Sequence, residues 1–181
     1  GRVEGRGELR HGNNAESLSV TGTLEESAEA RFEGRHGGEG WSVSERINAN
    51  TDGSWSASAD ASTRLNGNSA LRGEASINSS GSTSGSVTHS NGNNSERIGL
   101  NADAEGNLSG SFEGRHTNGA WSTTERVSAN SDGTWNAGVD ARGRLNNGVS
   151  TSASTNWSSD GSHNHSAGLS GSNWNVSGNG E

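Results

Sequence analysis

From Trp41 to Asn50 the chain reads Trp-Ser-Val-Ser-Glu-Arg-Ile-Asn-Ala-Asn, so that, apart from Glu45, apolar residues alternate with polar ones at every second position. The same alternation fills residues 55–65 and 71–77 and returns from 121 onward. A period of two puts alternate side chains on opposite faces of a β-strand, and no segment carries the 3.6-residue period of a helix. Clusters rich in Gly, Asn and Asp interrupt the alternation every 11 to 15 residues, among them Thr51-Asp52-Gly53, Asn66-Gly67-Asn68, Glu105-Gly106 and Asp132-Gly133. Asn-Gly and Asp-Gly supply the positive φ that tight hairpins need. The pattern predicts about 14 short strands linked by hairpins.

A longer period lies beneath this one. Shifted by 80 residues, Phe32 falls on Phe112, Trp41 on Trp121, Trp55 on Trp135 and Leu65 on Leu145, and 20 of the 35 positions from 32 to 66 are identical. The organisation expected is one repeat over 1–80, a second over 81–160 and a partial third over 161–181, each full repeat holding about six strands. A chain that opens at Gly1 and stops inside a repeat is expected to be a mature or excised piece of a longer array.

Hairpin register tests the strand reading, because a slip of one residue would move every side chain to the other face. Three-residue loops with Gly at the bulge position pair Ala49 with Trp55, Ala129 with Trp135, Ala102 with Leu108 and Ile77 with Thr83, and a similar loop pairs Leu145 with Val149. An Asn91-Gly92 turn would set Val87 opposite Glu96. A four-residue loop from Gly37 to Gly40 would set Glu45 opposite Phe32 and Trp41 opposite His36, and the repeat would set Glu125 opposite Phe112. Turn chemistry and face assignment agree along the chain, which a disordered low-complexity sequence has no reason to achieve.

The fold class that follows is all-β, an antiparallel meander built from the repeat. It is expected to roll into a sandwich or barrel that encloses the apolar face, with stacking as an extended sheet as an alternative. A lower alternative is an outer-membrane-type barrel with Trp at both margins, a reading opposed by Glu45, Glu125, His36 and His116 on the side that would meet lipid.

Composition narrows the choice. Only 25% of residues are hydrophobic, and Ser, Gly and Asn supply 33, 29 and 22 of the 181, while Cys, Met, Tyr, Pro, Lys and Gln are absent. A large conventional core is excluded, and so are disulfides and thiolate metal sites. The net charge of -8, with 13 arginines as the only basic residues besides His, argues against nucleic acid or an anionic membrane as partner. No apolar run is long enough for a membrane helix.

Candidate chemistry is sparse. Glu29, Glu33 and Arg35 alternate on the polar face and read as solvated ion pairs. Glu45 and Glu125 fall on the apolar face, and strand pairing does not account for them. His163 and His165 share a face at a spacing that a strand-borne metal site could use, but no third ligand stands nearby, so no metal and no cofactor is expected. Trp41, Trp55, Trp121, Trp135, Trp157 and Trp174 are the candidate assembly or binding face; Trp41, Trp55, Trp121 and Trp135 each stand first in their strand, so successive ones fall at opposite ends of the sheet.

The function expected is that of an extracellular or cell-surface structural protein whose repeated tiles self-assemble into a fibre, coat or matrix. Its partner is then itself, as homo-oligomer or filament. A rival reading is an adhesin that binds glycans through Trp, Asn and Asp. An enzyme is not expected, because no nucleophile elbow, phosphate loop or zinc-protease motif occurs.

Overall fold

Wherever the two-residue period runs, the chain is extended. A computed structural model describes residues 2–23, 28–145 and 148–181. The strands are β1 (Arg2–His11), β2 (Asn14–Thr23), β3 (Glu29–Gly38), β4 (Trp41–Asn50), β5 (Trp55–Arg64), β6 (Ser69–Asn78) and β7 (Thr83–Asn91). They continue as β8 (Asn94–Ala102), β9 (Leu108–Asn118), β10 (Trp121–Asn130), β11 (Trp135–Arg144), β12 (Ser150–Ser158), β13 (His163–Gly171) and β14 (Trp174–Gly180). All fourteen follow one another in a single antiparallel meander sheet, in sequence order from β1 to β14.

The sheet does not close on itself, so the expected barrel is not formed, and with no hydrophobic side chain buried among the described residues there is no sandwich core. The physical reason lies in the composition. Alternate positions are filled largely by Ala, Gly, Ser and Asn, which bury too little apolar area to hold a second layer. Among the described residues no hydrophobic side chain is buried, and Leu9, Leu100 and Val176 are each more than 60% exposed. The contacts divide the chain into two compact units, Gly1–Val87 with Asn101–Gly106, and Thr88–Leu100 with Asn107–Glu181.

Register follows the turns. Ala49 stands opposite Trp55 and Ala129 opposite Trp135, as the loop lengths require. Around the Ser79–Gly81 turn, Asn78 N–H donates to Ser82 O at 3.1 Å. Of the expected Asn147-Gly148 turn, Asn147 lies outside the described residues, and beside it Leu145 N–H donates to Val149 O at 2.7 Å.

Three hairpins differ from expectation, each by a shift of two residues that leaves the faces unchanged. β3 and β4 are joined by Glu39-Gly40 alone, with Gly40 at φ 80°, so that Gly38 meets Trp41 and His36 meets Val43. Phe32 therefore faces Ile47, and Glu45 faces Gly34 instead of Phe32. In the second repeat Phe112 faces Val127, and Glu125 faces Gly114. β7 ends at Asn91 and β8 begins at Asn94, so Gly92-Asn93 forms that turn, and Glu96 lies by His89 instead of opposite Val87. Two-residue turns match the twist of the flanking strands, and at β3–β4 and β9–β10 the shift also places a ring against a branched aliphatic, the more favourable cross-strand pair.

The two margins use different turn chemistry. The turns after β4, β6, β10 and β12 carry an Asp or Asn whose carbonyl or carboxylate oxygen accepts backbone N–H groups of the turn: Asp52 from Ser54 at 2.8 Å, Asp132 from Thr134 at 2.9 Å, Asp160 from Ser162 at 2.8 Å and Asn78 from Ser80 at 3.1 Å. The Ser54 and Thr134 hydroxyls donate to the same carboxylates, at 2.6 and 2.7 Å. These bonds hold Asp52, Asp132 and Asp160 below the ordinary aspartate value of 3.8. A carboxylate with a depressed folded-state value stabilises above its unfolded value and loses that contribution as pH falls through the folded one. We expect hydrogen-exchange protection at Ser54, Thr134 and Ser162 to drop selectively below pH 3.8 while mid-strand amides keep theirs; uniform loss would contradict the assignment.

Candidate assembly surfaces

Alternation sorts the chemistry onto two faces. The apolar face carries the large side chains, among them Val3 and Leu9 of β1, Leu18 and Val20 of β2, Phe32 of β3 and Ile47 of β4. The parity of each strand also places all six histidines there, with His36 on the Phe32 side of β3 and His116 on the Phe112 side of β9. Glu45 and Glu125 share this face, and so do Glu16 of β2 and Glu96 of β8, which the sequence reading did not single out. The signal was present, since Glu16 precedes Leu18 and Val20 in phase and Glu96 precedes Ile98 and Leu100.

Glu16, Gly34 and Glu45 lie in one row across β2, β3 and β4. Gly34 is buried although it lacks a side chain, because the Phe32 and His36 rings reach over it, each within about 3.5 Å of where a Cβ would stand. Gly114 is covered in the same way by Phe112 and His116. Each tile thus has a ring-covered glycine, opposite Glu45 in one and Glu125 in the other. In the second unit His89 Nδ1 lies 3.9 Å from a Glu96 carboxylate oxygen.

The six tryptophans are all on the apolar face, five as the first residue of a strand and Trp157 next to the end of β12. Their exposures run from 39% to 48%, so none is enclosed by its own chain. Trp41 lies over Gly38, Trp174 over Gly171 and Trp121 over Gly143, each so close that a Cβ on the glycine would collide with the indole. An aromatic ring laid on a glycine backbone covers main chain that would otherwise be bare.

His163 and His165 have ring centroids 5.2 Å apart, and Trp157 meets His165 edge to face at 6.4 Å. His165 Nδ1 is hydrogen-bonded to Thr155 Oγ1 at 2.8 Å. Among the described residues no group of three or more His, Asp or Glu side chains could hold a metal ion.

The polar face carries the ion pairs. Glu33 sits between Arg31 at 2.7 Å and Arg46 at 3.0 Å, and the two guanidinium groups hold its carboxylate below the usual range. Arg72 bridges Asp60 at 2.7 Å and Glu74 at 2.8 Å, which pushes its own value up. In the second unit Arg126 reaches Asp140 at 2.7 Å and Glu113 at 3.4 Å. Glu33 pairs across the strands with Arg46, the residue directly opposite it, and along its own strand with Arg31. All these pairs are open to water, where such contacts contribute little to stability.

Comparison with protein-family models, with curated proteins and with solved structures gave no match.

Proposed function

We propose that this chain is a structural protein that assembles with copies of itself into a fibre, coat or matrix by burying its apolar face. The observation that supports the reading is the surface the chain leaves uncovered. Its accessible area is 12455 Å². A compact monomer of 18.5 kDa would expose about 8,200 Å². The excess, roughly 4,000 Å² on one chain, exceeds the roughly 2,500 Å² that each partner contributes to a large obligate interface. The sheet holds its backbone hydrogen bonds internally, so the residual driving force is the apolar area on one face.

Two further features fit the reading. The outer strands β1 and β14 each have one unpaired edge, to which another copy could add a strand. The repeat gives successive tiles the same large aromatic residues on the apolar face, Phe32, Trp41 and Trp55 returning as Phe112, Trp121 and Trp135, which suits an assembly that grows by repetition. Extracellular or surface placement belongs to the same proposal.

A second reading is favoured by one observation. Trp41, Trp121 and Trp174 are each close to half exposed, and exposed indoles are groups on which sugars stack, as an adhesin or glycan binder would use. Acrylamide quenching of tryptophan fluorescence across a concentration series, with negative-stain microscopy of the same samples, separates the two. Filaments or sheets with tryptophans shielded as they form support assembly. Persistent monomers with fully quenchable tryptophans at every concentration would sink it.

A further inference from the structure

The polar face separates charge in a way the net charge conceals. All twelve arginines whose side chains the structure describes lie on the polar face, whereas every Trp, Phe and His lies on the other. The internal repeat then provides a control, because the same four-strand frame occurs twice with different polar residues. On β3–β6 the polar face carries Arg31, Arg35, Arg46, Arg64 and Arg72, and the acids Glu29, Glu33, Asp60 and Glu74 nearly balance them. On β9–β12, Ser109, Ser111, Ser152 and Ser154 replace two acids and two arginines, and Arg142 stands where the first repeat has Ser62. Four arginines there face only Glu113 and Asp140, and both acids are taken up by Arg126.

Arg115, Arg142 and Arg144 are thereby left exposed, with no side-chain hydrogen-bond or ion-pair partner among the described residues. Strand geometry spaces them: Arg142 and Arg144 lie about 7 Å apart along β11, and Arg115 lies two strands away, roughly 12 Å from Arg142. The neighbours opposite Arg142 and Arg144 are hydroxyl side chains, Ser122 and Ser152 beside Arg142 and Ser150 beside Arg144. Gly143 between the two arginines is buried under Trp121 from the opposite face, so the segment that carries them is backed by a ring.

We infer that this face of the second unit, centred on Arg115, Arg142 and Arg144, binds a linear anionic polysaccharide that bears carboxylate or sulfate groups. Guanidinium forks match both groups with paired hydrogen bonds. The surrounding serines suit sugar hydroxyls, and an open row of separated cations suits an extended polymer better than a compact ligand. Single-stranded nucleic acid is the competing polyanion, but its binding surfaces interleave cations with aromatic platforms, and here every aromatic side chain lies on the opposite face. The inference does not depend on self-assembly, because it uses the other face of the sheet.

The test is binding of the whole chain to a polyuronate, a sulfated polysaccharide, neutral dextran and single-stranded DNA, each at several salt concentrations. We expect both acidic polysaccharides to bind, dextran to fail and DNA to bind at least tenfold more weakly. Arg115→Gln, Arg142→Ser and Arg144→Gln together should reduce polysaccharide affinity at least tenfold and flatten its salt dependence, since each lost contact releases fewer counterions. Arg31→Gln with Arg72→Gln in the first unit should change affinity less than twofold. Circular dichroism of the triple variant should match the parent, because its three side chains make no described contact. Equal affinity in the triple variant, preference for DNA, or no polysaccharide binding at low salt would overturn the inference.

Discussion

Replacing Ile47 and Val127 with Asp is expected to abolish assembly while leaving the sheet intact. Ile47 faces Phe32 and Val127 faces Phe112, at the centre of the apolar face in the two tiles. Each is close to half exposed in the single chain, 47% and 46%, so a carboxylate there can still reach water and the strand survives. Once the face is covered by another copy, the same carboxylate is buried without a partner. An uncompensated buried charge costs roughly 3–5 kcal/mol, and even the lower figure raises the concentration needed for assembly more than a hundredfold. The matched control moves one residue along each strand. Asn48→Asp and Ser128→Asp put the new charge on the opposite face, where Asn48 lies across from Arg31, and assembly should persist. Sedimentation across concentration, with circular dichroism to verify the sheet, reads both pairs. Assembly of the Ile47→Asp, Val127→Asp chain at the parent concentration would refute burial of this face.

Strand number, the approximate sites of the turns and the two faces were legible in the sequence because they depend on local alternation and on Gly, Asn and Asp at fixed intervals. The Trp41, Trp55, Trp121 and Trp135 positions followed from the same periodicity. Register at β3–β4 was not, since Gly37-Gly38-Glu39-Gly40 allows either a four-residue or a two-residue turn, and only the opposite strand selects between them. That selection brings Phe32 to Ile47 and leaves Glu45 facing a glycine. Closure was also hidden, because alternation defines an apolar face without saying what covers it. The arginine-rich face escaped notice for another reason: a net charge of -8 averages over turns and both faces, while Arg142-Gly143-Arg144 puts two cations on the same side of one strand.

Removing carboxylates from the apolar face should strengthen assembly. The described acids that a covering copy would desolvate are Glu16, Glu45, Glu96 and Glu125, whereas the arginines whose side chains are described all lie on the opposite face. A carboxylate covered without a cationic partner opposes burial of the face. Glu45 and Glu125 stand opposite Gly34 and Gly114, which offer no side chain to compensate them. Glu45→Gln with Glu125→Gln removes two of these four carboxylates and should lower the critical concentration at neutral pH at least tenfold. Light scattering across concentration on parent and variant measures the change. An unchanged critical concentration in the variant would separate assembly from this face even if filaments form.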